Sequence, residues 1–327
     1  MLYLIGYPES ESNWTGTFMR SVRHELQRHM IEFTELPPYD WSGPTAPLKR
    51  YLRINSKDED VWLVGWAHSP VIEYLKHKKG RKFGLVVGVM AGHFDPLKFS
   101  PSAKSLWEGE RLSSYDGLFA ISHWCQDCLL RAYPHLRGKI SVTGFPLDFS
   151  AYESYLGLEK EKGLVAFNQR FSLERLPILE LELAGLLVRR GHRVVHLSGV
   201  SVEQISGRDP TLADLLQSAN HYGLEFVHNI TKVEYNTYLA KAEIVITTSI
   251  ADTLSVAMVE AIFLGAIPAA PRAFCFPEYI HPDNLYSPYT FYEILAIAEE
   301  KPRRPHRIEQ YDKEHVVRRI LAAMELI

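Results

Sequence analysis

Short apolar runs alternate with segments of helical spacing from one end of the chain to the other. LYLIGYP reads as a buried strand ended by its Gly and Pro, and a polar loop, ESESNWTGT, follows it. FMRSVRHELQRHM then has apolar residues spaced for one face of a helix. DVWLVGW, KFGLVVGVM and DGLFAIS are three more strands, HWCQDCLLRAY is a helix, and KISVTGFP closes the first half as a short strand. After the polar stretch DFSAYESYLGLEKEKG the alternation restarts. GLVAFNQRF, HRVVHLSG, LEFVHNI, EIVITTS and AIPAAPR are its strands. LPILELELAGLLVRRG, LADLLQSANHYG, KVEYNTYLAKA and SVAMVEAIFLG are its helices, and FYEILAIAEEK and EHVVRRILAAMELI form a helical tail. Strand–helix alternation of this kind predicts α/β structure with parallel sheets covered on both faces. The expected organisation is two parallel α/β domains of near-equal size with a cleft between them, residues 1–150 and 151–327, the last helix able to pack back on the first domain.

Length and composition fit this picture. The chain has 327 residues, which suits about two domains, and 46% hydrophobic content is enough to build two cores. The net charge of −3 removes any global demand for a nucleic-acid partner, although a local basic face is compatible with it. No apolar run reaches the roughly 18 residues of a membrane span, and MLYLIGYPESES lacks the features of a signal peptide, so a cytoplasmic protein is expected. The three cysteines include a C-x-x-C at Cys125 and Cys128, without a second pair for a four-Cys zinc site. Buried structural thiols are the expectation.

In open α/β sheets ligands bind beyond the carboxyl ends of the strands, so the chemistry is sought in the loops that follow them. The first loop brings Asn13, Trp14, Thr15 and Gly16 ahead of a helix, where a glycine allows close backbone approach to a ligand. The same residues also suit an ordinary loop with a Thr cap. It contains neither a Walker pattern nor G-x-G-x-x-G. AGHFDP, after the third strand, holds His93 and Asp95, a candidate acid–base and binding pair or simply hydrogen-bonded turn residues. In the second half, AFNQRFSLERLP places Arg170 and Arg175 between a strand and a helix, where two guanidinium groups can neutralise a diphosphate or remain solvated. ITTSIADTLSVAMVEA places Asp252 eight positions before Glu260, with Thr253 or Ser255 as the helix cap. Backbone N–H groups at that helix start would face a phosphate. Glu260, inside an apolar stretch, needs a partner: the vicinal hydroxyls of a ribose, or a salt bridge to Arg or Lys.

At these residues the chain resembles the GT-B glycosyltransferases of family 4. Arg170 matches the family arginine and Arg175 takes the position of its lysine. Asp252 and Glu260 match its acid-x7-acid motif, with Asp in place of the usual Glu. VAMVEAIFLGAIPAAPRAFCFPEYIHPDNLYS is most similar to the branch that mannosylates queuosine in tRNA. Thr253, Leu254 and Ser255 depart from the aromatic and glycine residues that usually precede the helix. The resemblance implies metal-independent, retaining transfer of a hexose from a UDP or GDP sugar, with no cofactor. It implies that Arg170 and Arg175 stabilise the departing diphosphate and that residues 253–255 line the donor. Glu260 would hold the ribose, Asp252 the sugar hydroxyls or a backbone near them, Gly16 would allow closure over the diphosphate, and His93 would approach the transferred sugar or the acceptor hydroxyl.

Trp14 and Asp95 are placed on the acceptor side, and Trp62, Trp66 and Trp107 are further stacking candidates. The basic stretches KHKKGRK and KPRRPHR could meet nucleic-acid phosphates or be solvated turns. The leading expectation for the acceptor is a modified nucleobase in tRNA or DNA. The alternatives are a saccharide, lipid or small molecule, or a GT-B shell that binds nucleotide sugar without catalysis.

Overall fold

The computed structural model describes residues 1–6, 14–37, 50–51, 53–88, 103–207, 210–288 and 290–327, without the side chains of 14, 15 and 103–106. By their contacts these residues form two units, Met1–Asp148 with Glu309–Ile327, and Phe149–Ile308.

The first unit contains β1 (Leu2–Ile5), β2 (Phe33–Leu36), β3 (Val61–Val64), β4 (Arg81–Val86), β5 (Gly117–Ala120) and β6 (Ile140–Val142). They form one parallel sheet in the order β2-β1-β3-β4-β5-β6. β3 is buried along its whole length, as a central strand covered on both faces must be. β2 was not expected from the sequence: FTEL lies at the sheet edge with its middle residues exposed, so it carries no apolar run. The helix Trp14–Arg28 begins earlier than the sequence suggests, so Gly16 lies in its first turn rather than in a loop before it. The terminal helix Lys313–Ala323 belongs to this unit. Glu314 pairs with Arg28 at 2.7 Å, and Arg81 pairs with Glu325 at 2.6 Å. Trp62 is fully buried, stacked on Tyr3 with ring centroids 4.3 Å apart, so it is core rather than a stacking platform for a ligand.

The second unit contains β7 (Glu161–Phe167), β8 (Arg193–Leu197), β9 (Leu224–Val227), β10 (Ala242–Ile246), β11 (Ile267–Pro271) and β12 (Leu285–Tyr286). They form a parallel sheet in the order β12-β11-β10-β7-β8-β9. Apolar residues of Pro177–Arg189 and Phe291–Glu300 pack with those of the central strands in one core that includes Val165, Leu183, Leu187, Ile244, Ile246 and Ile294. Starting at β7, the chain builds outward through β8 and β9, then returns to the other side of β7 for β10. The strand order therefore reverses between β7 and β10, the topological switch point at which two following loops diverge and leave a crevice. Among the described residues no helix is long and apolar enough to cross a membrane. Cys125, Cys128 and Cys275 are buried thiols, none of them in a disulfide.

Candidate functional site

The loops after β7 and β10 leave the sheet side by side at the switch point and are joined to each other. The Ile250 amide donates to the Glu174 carbonyl at 3.1 Å, and the Thr248 hydroxyl donates to the Arg175 carbonyl. Arg175 spans the two loops: its Nη1 donates to Ser249 Oγ and, at 2.6 Å, to Asp252 Oδ2. Burial works against its charge, but Asp252 and then Glu174 more than offset this and hold its pKa above the ordinary value. Leu176, between Arg175 and Pro177, has the left-handed angles φ 49° and ψ 63°. Such a conformation is costly for leucine, and the following proline disfavours the right-handed alternative. The turn places Arg175 inward while Pro177 begins the next helix. Arg170 projects outward, its side chain 59% exposed, and donates to Glu174. Against the effect of burial, the Glu174 backbone N–H and Arg170 hold the Glu174 carboxyl below its usual range.

Across the crevice, Ser255 caps the helix Val256–Phe263 by accepting from the Met258 amide. Gln169 Nε2 donates to Ser255 Oγ at 2.9 Å and lies 3.5 Å from Asp252 Oδ2. Asn168 Nδ2 donates to the Ala257 carbonyl at 2.7 Å. Among the described residues, three buried polar atoms here have no hydrogen-bond partner: Arg175 Nε, Gln169 Oε1 and Asn168 Oδ1. Unmet buried donors and acceptors are uncommon, and three of them beside one switch point make it a candidate place for a polar ligand. Thr253 and Leu254 are buried in the same turn. Burial, with Asp252 next, pushes the Cys275 thiol well up, so this neighbour of the pair is a neutral thiol.

Glu260 lies one turn into the helix and is buried. The structure supplies the partner that the sequence requires. Tyr152 Oη donates to its Oε1 at 2.6 Å, and Lys232 Nζ donates to Oε1 and Oε2 at 2.9 Å each. Tyr152 comes from the segment Phe149–Tyr155, where Phe149 stacks on Phe263 at 4.5 Å. Burial first, then the charge of Glu260, pushes the Tyr235 hydroxyl well above its ordinary value, and it donates to the Asn168 carbonyl at 3.3 Å.

The structure thus brings Arg175, Asp252, Ser255 and Glu260 to the carboxyl ends of the central strands of one sheet, with Arg170 attached through Glu174. Gln169, Tyr152 and Lys232 were not singled out in the sequence. Tyr152 is 108 residues from Glu260, and nothing local announces the contact. Lys232 does carry a signal: it is the first residue of a helix capped by Thr231 and Glu234, where a cation opposes the helix dipole. Gly16 and Trp14 belong to the first unit, and His93 and Asp95 lie outside the described residues. Trp107, also in the first unit, is covered by the Arg111 guanidinium 3.4 Å from its ring centroid. Members of both basic stretches are engaged in ion pairs: Lys76 with Glu73, Lys79 with Asp58, Lys301 with Glu243 and Arg304 with Asp283.

No family model and no curated protein sequence matches the chain. Solved structures do. Sucrose-phosphate synthase from Thermosynechococcus elongatus superposes with a TM-score of 0.76 at 12% identity, covering 99% of this chain and 98% of that one. The Anabaena protein Alr3699/HepE in complex with UDP gives 0.70 at 13% identity, covering 100% of this chain and 99% of that one. The pneumococcal O-GlcNAc transferase GtfA with UDP and GlcNAc gives 0.63 at 11% identity, covering 86% of this chain and 60% of that one. At such identities the likeness establishes the fold: two parallel sheets flanked by helices, the paired Rossmann-like domains of the GT-B fold.

Proposed function

We propose that the protein is a glycosyltransferase that binds a nucleotide-diphosphate sugar, a UDP sugar in the first instance, and transfers its hexose to a hydroxyl of a saccharide or other small molecule. The observation that carries the reading is the group of buried atoms without partners among the described residues, beside the largely covered Arg175 guanidinium and a helix start, at the switch point of the second sheet. In this reading the diphosphate lies against Arg175 and the first turn of Val256–Phe263, and Arg170 exchanges Glu174 for a phosphate oxygen. Negative charge grows on the leaving diphosphate as the glycosidic bond breaks. A preorganised guanidinium in a water-poor crevice stabilises that charge more than it stabilises the bound substrate. Asp252 keeps Arg175 aimed and charged. Glu260 receives the ribose hydroxyls, and retention of anomeric configuration follows the family resemblance.

The choice of acceptor turns on two observations. The basic stretches that would face nucleic-acid phosphates contain lysines and arginines already paired with acids. The similar solved structures include a sucrose-phosphate synthase and a protein bound to UDP and glucose. Both favour a sugar-like acceptor over a modified nucleobase. The test is incubation with UDP-glucose or GDP-mannose and, separately, sugar phosphates, polyols, oligosaccharides and tRNA, following UDP or GDP release and product mass. Release stimulated by a saccharide-type acceptor is expected. Stimulation by tRNA alone would overturn the acceptor assignment, and absence of nucleotide binding would overturn the whole reading.

A further inference from the structure

We infer that Lys232 occupies the ribose position of the donor site in the free protein and must be displaced by a vicinal diol, so that it reduces the site's preference for ribonucleotides over 2′-deoxyribonucleotides. The inference rests on the reading of Glu260 as the ribose-binding carboxylate. A carboxylate offers about four acceptor positions, two on each oxygen. Among the described residues three are taken: Tyr152 and Lys232 both donate to Oε1, and Lys232 also donates to Oε2. One position remains, on Oε2. A single ribose hydroxyl can use it, but two hydroxyls bridging both oxygens cannot, so one present donor has to leave Oε1.

The structure indicates which one. Tyr152 is buried and its ring packs edge-on against Phe263, with centroids 6.1 Å apart. The Lys232 side chain is 55% exposed and can swing into solvent. Its ammonium lies 4.5 Å from the centre of the Tyr235 ring, a second resting place once Glu260 is given up. Local structure does not account for the lysine either, since a cation in the first turn opposes the helix dipole. The chain accepts this cost at a position from which the side chain reaches Glu260.

The test is calorimetric titration of UDP and 2′-deoxy-UDP, with GDP and 2′-deoxy-GDP as the second pair, against wild type, Lys232→Met, Lys232→Arg and Glu260→Gln. Loss of the lysine charge affects the diphosphates of both partners in a pair equally, so the ratio of their affinities isolates the ribose. Lys232→Met should raise the ribo-over-deoxy ratio about two- to five-fold, the range set by an exposed ion pair, while Lys232→Arg leaves it near the wild-type value. An unchanged or lower ratio in Lys232→Met, with the preference lost in Glu260→Gln, overturns the role of Lys232 but keeps Glu260 on the ribose. A preference that survives in Glu260→Gln overturns the ribose reading itself. Melting temperatures of the variants confirm that each is folded during the titrations.

Discussion

Replacing Arg175 by methionine is the most informative perturbation of the second unit. The side chains of Arg175 and Asp252 are 17% and 8% exposed, so solvent screens them weakly. Removing one member of a buried pair leaves the other uncompensated and costs about 3–5 kcal/mol. Here the lower end applies, because Asp252 would retain a long 3.5 Å contact with Gln169 and lies near a helix N-terminus. At roughly 2–4 °C per kcal/mol for a unit of this size, Arg175→Met should lower the melting temperature of the second unit by about 6 °C or more. Asp252→Asn should cost a similar amount, because it strands the guanidinium. The double variant should lose less than the two single losses added together, by about 2 kcal/mol. Differential scanning calorimetry on the four proteins measures this directly. Losses that add within about 0.5 kcal/mol would show that the two groups do not form a working pair, and the reasoning would fail.

Lys160 gives a pH-dependent outcome. Burial, with Arg303 adding to it, lowers its pKa to about 8, and Lys160 Nζ donates to the Leu264 carbonyl at 3.0 Å. The folded form therefore binds fewer protons than the unfolded chain between about pH 8 and pH 10.5, the ordinary value. The penalty is fully present below pH 8 and is relieved as the pH rises towards 10.5, so Lys160→Met should raise the melting temperature at pH 7, with a smaller gain at pH 10. A gain that does not change with pH would point to packing instead. The thiols give a second outcome: all three are buried, and burial pushes Cys128 up to about 11, so Ellman's reagent at pH 7.5 should react only after unfolding. Rapid labelling of native protein would contradict the burial. Glu260→Ala should weaken UDP binding at least several-fold, and isothermal titration showing unchanged affinity would remove the carboxylate from the nucleotide site.

The central strands of both sheets were legible because burial on two faces forces continuous apolar runs such as VWLV and LVAF. β2 and β12 were not, since an edge strand with exposed residues and a strand of two residues leave no pattern to read. In the candidate site, the placement of Arg175, Asp252, Ser255 and Glu260 at strand ends could be read from the order strand, loop, helix, because position at a strand's carboxyl end is a property of sequence order. Their partners could not. Arg175 meets Ser249 and Asp252 because β10 is placed beside β7, and Tyr152 reaches Glu260 from a segment whose Phe149 stacks on Phe263. The sequence left Glu260 with either a ribose or a basic side chain, and the structure supplies Lys232.

The central claim is that the switch point of the second sheet holds a nucleoside diphosphate. A crystal structure with UDP tests it most directly. The account predicts diphosphate oxygens within hydrogen-bond distance of Arg175 and the first-turn amides of Val256–Phe263, with the ribose at Glu260 and Lys232 withdrawn from at least one of its oxygens. UDP bound elsewhere, with the Arg175–Asp252 and Lys232–Glu260 pairs unchanged, would contradict it.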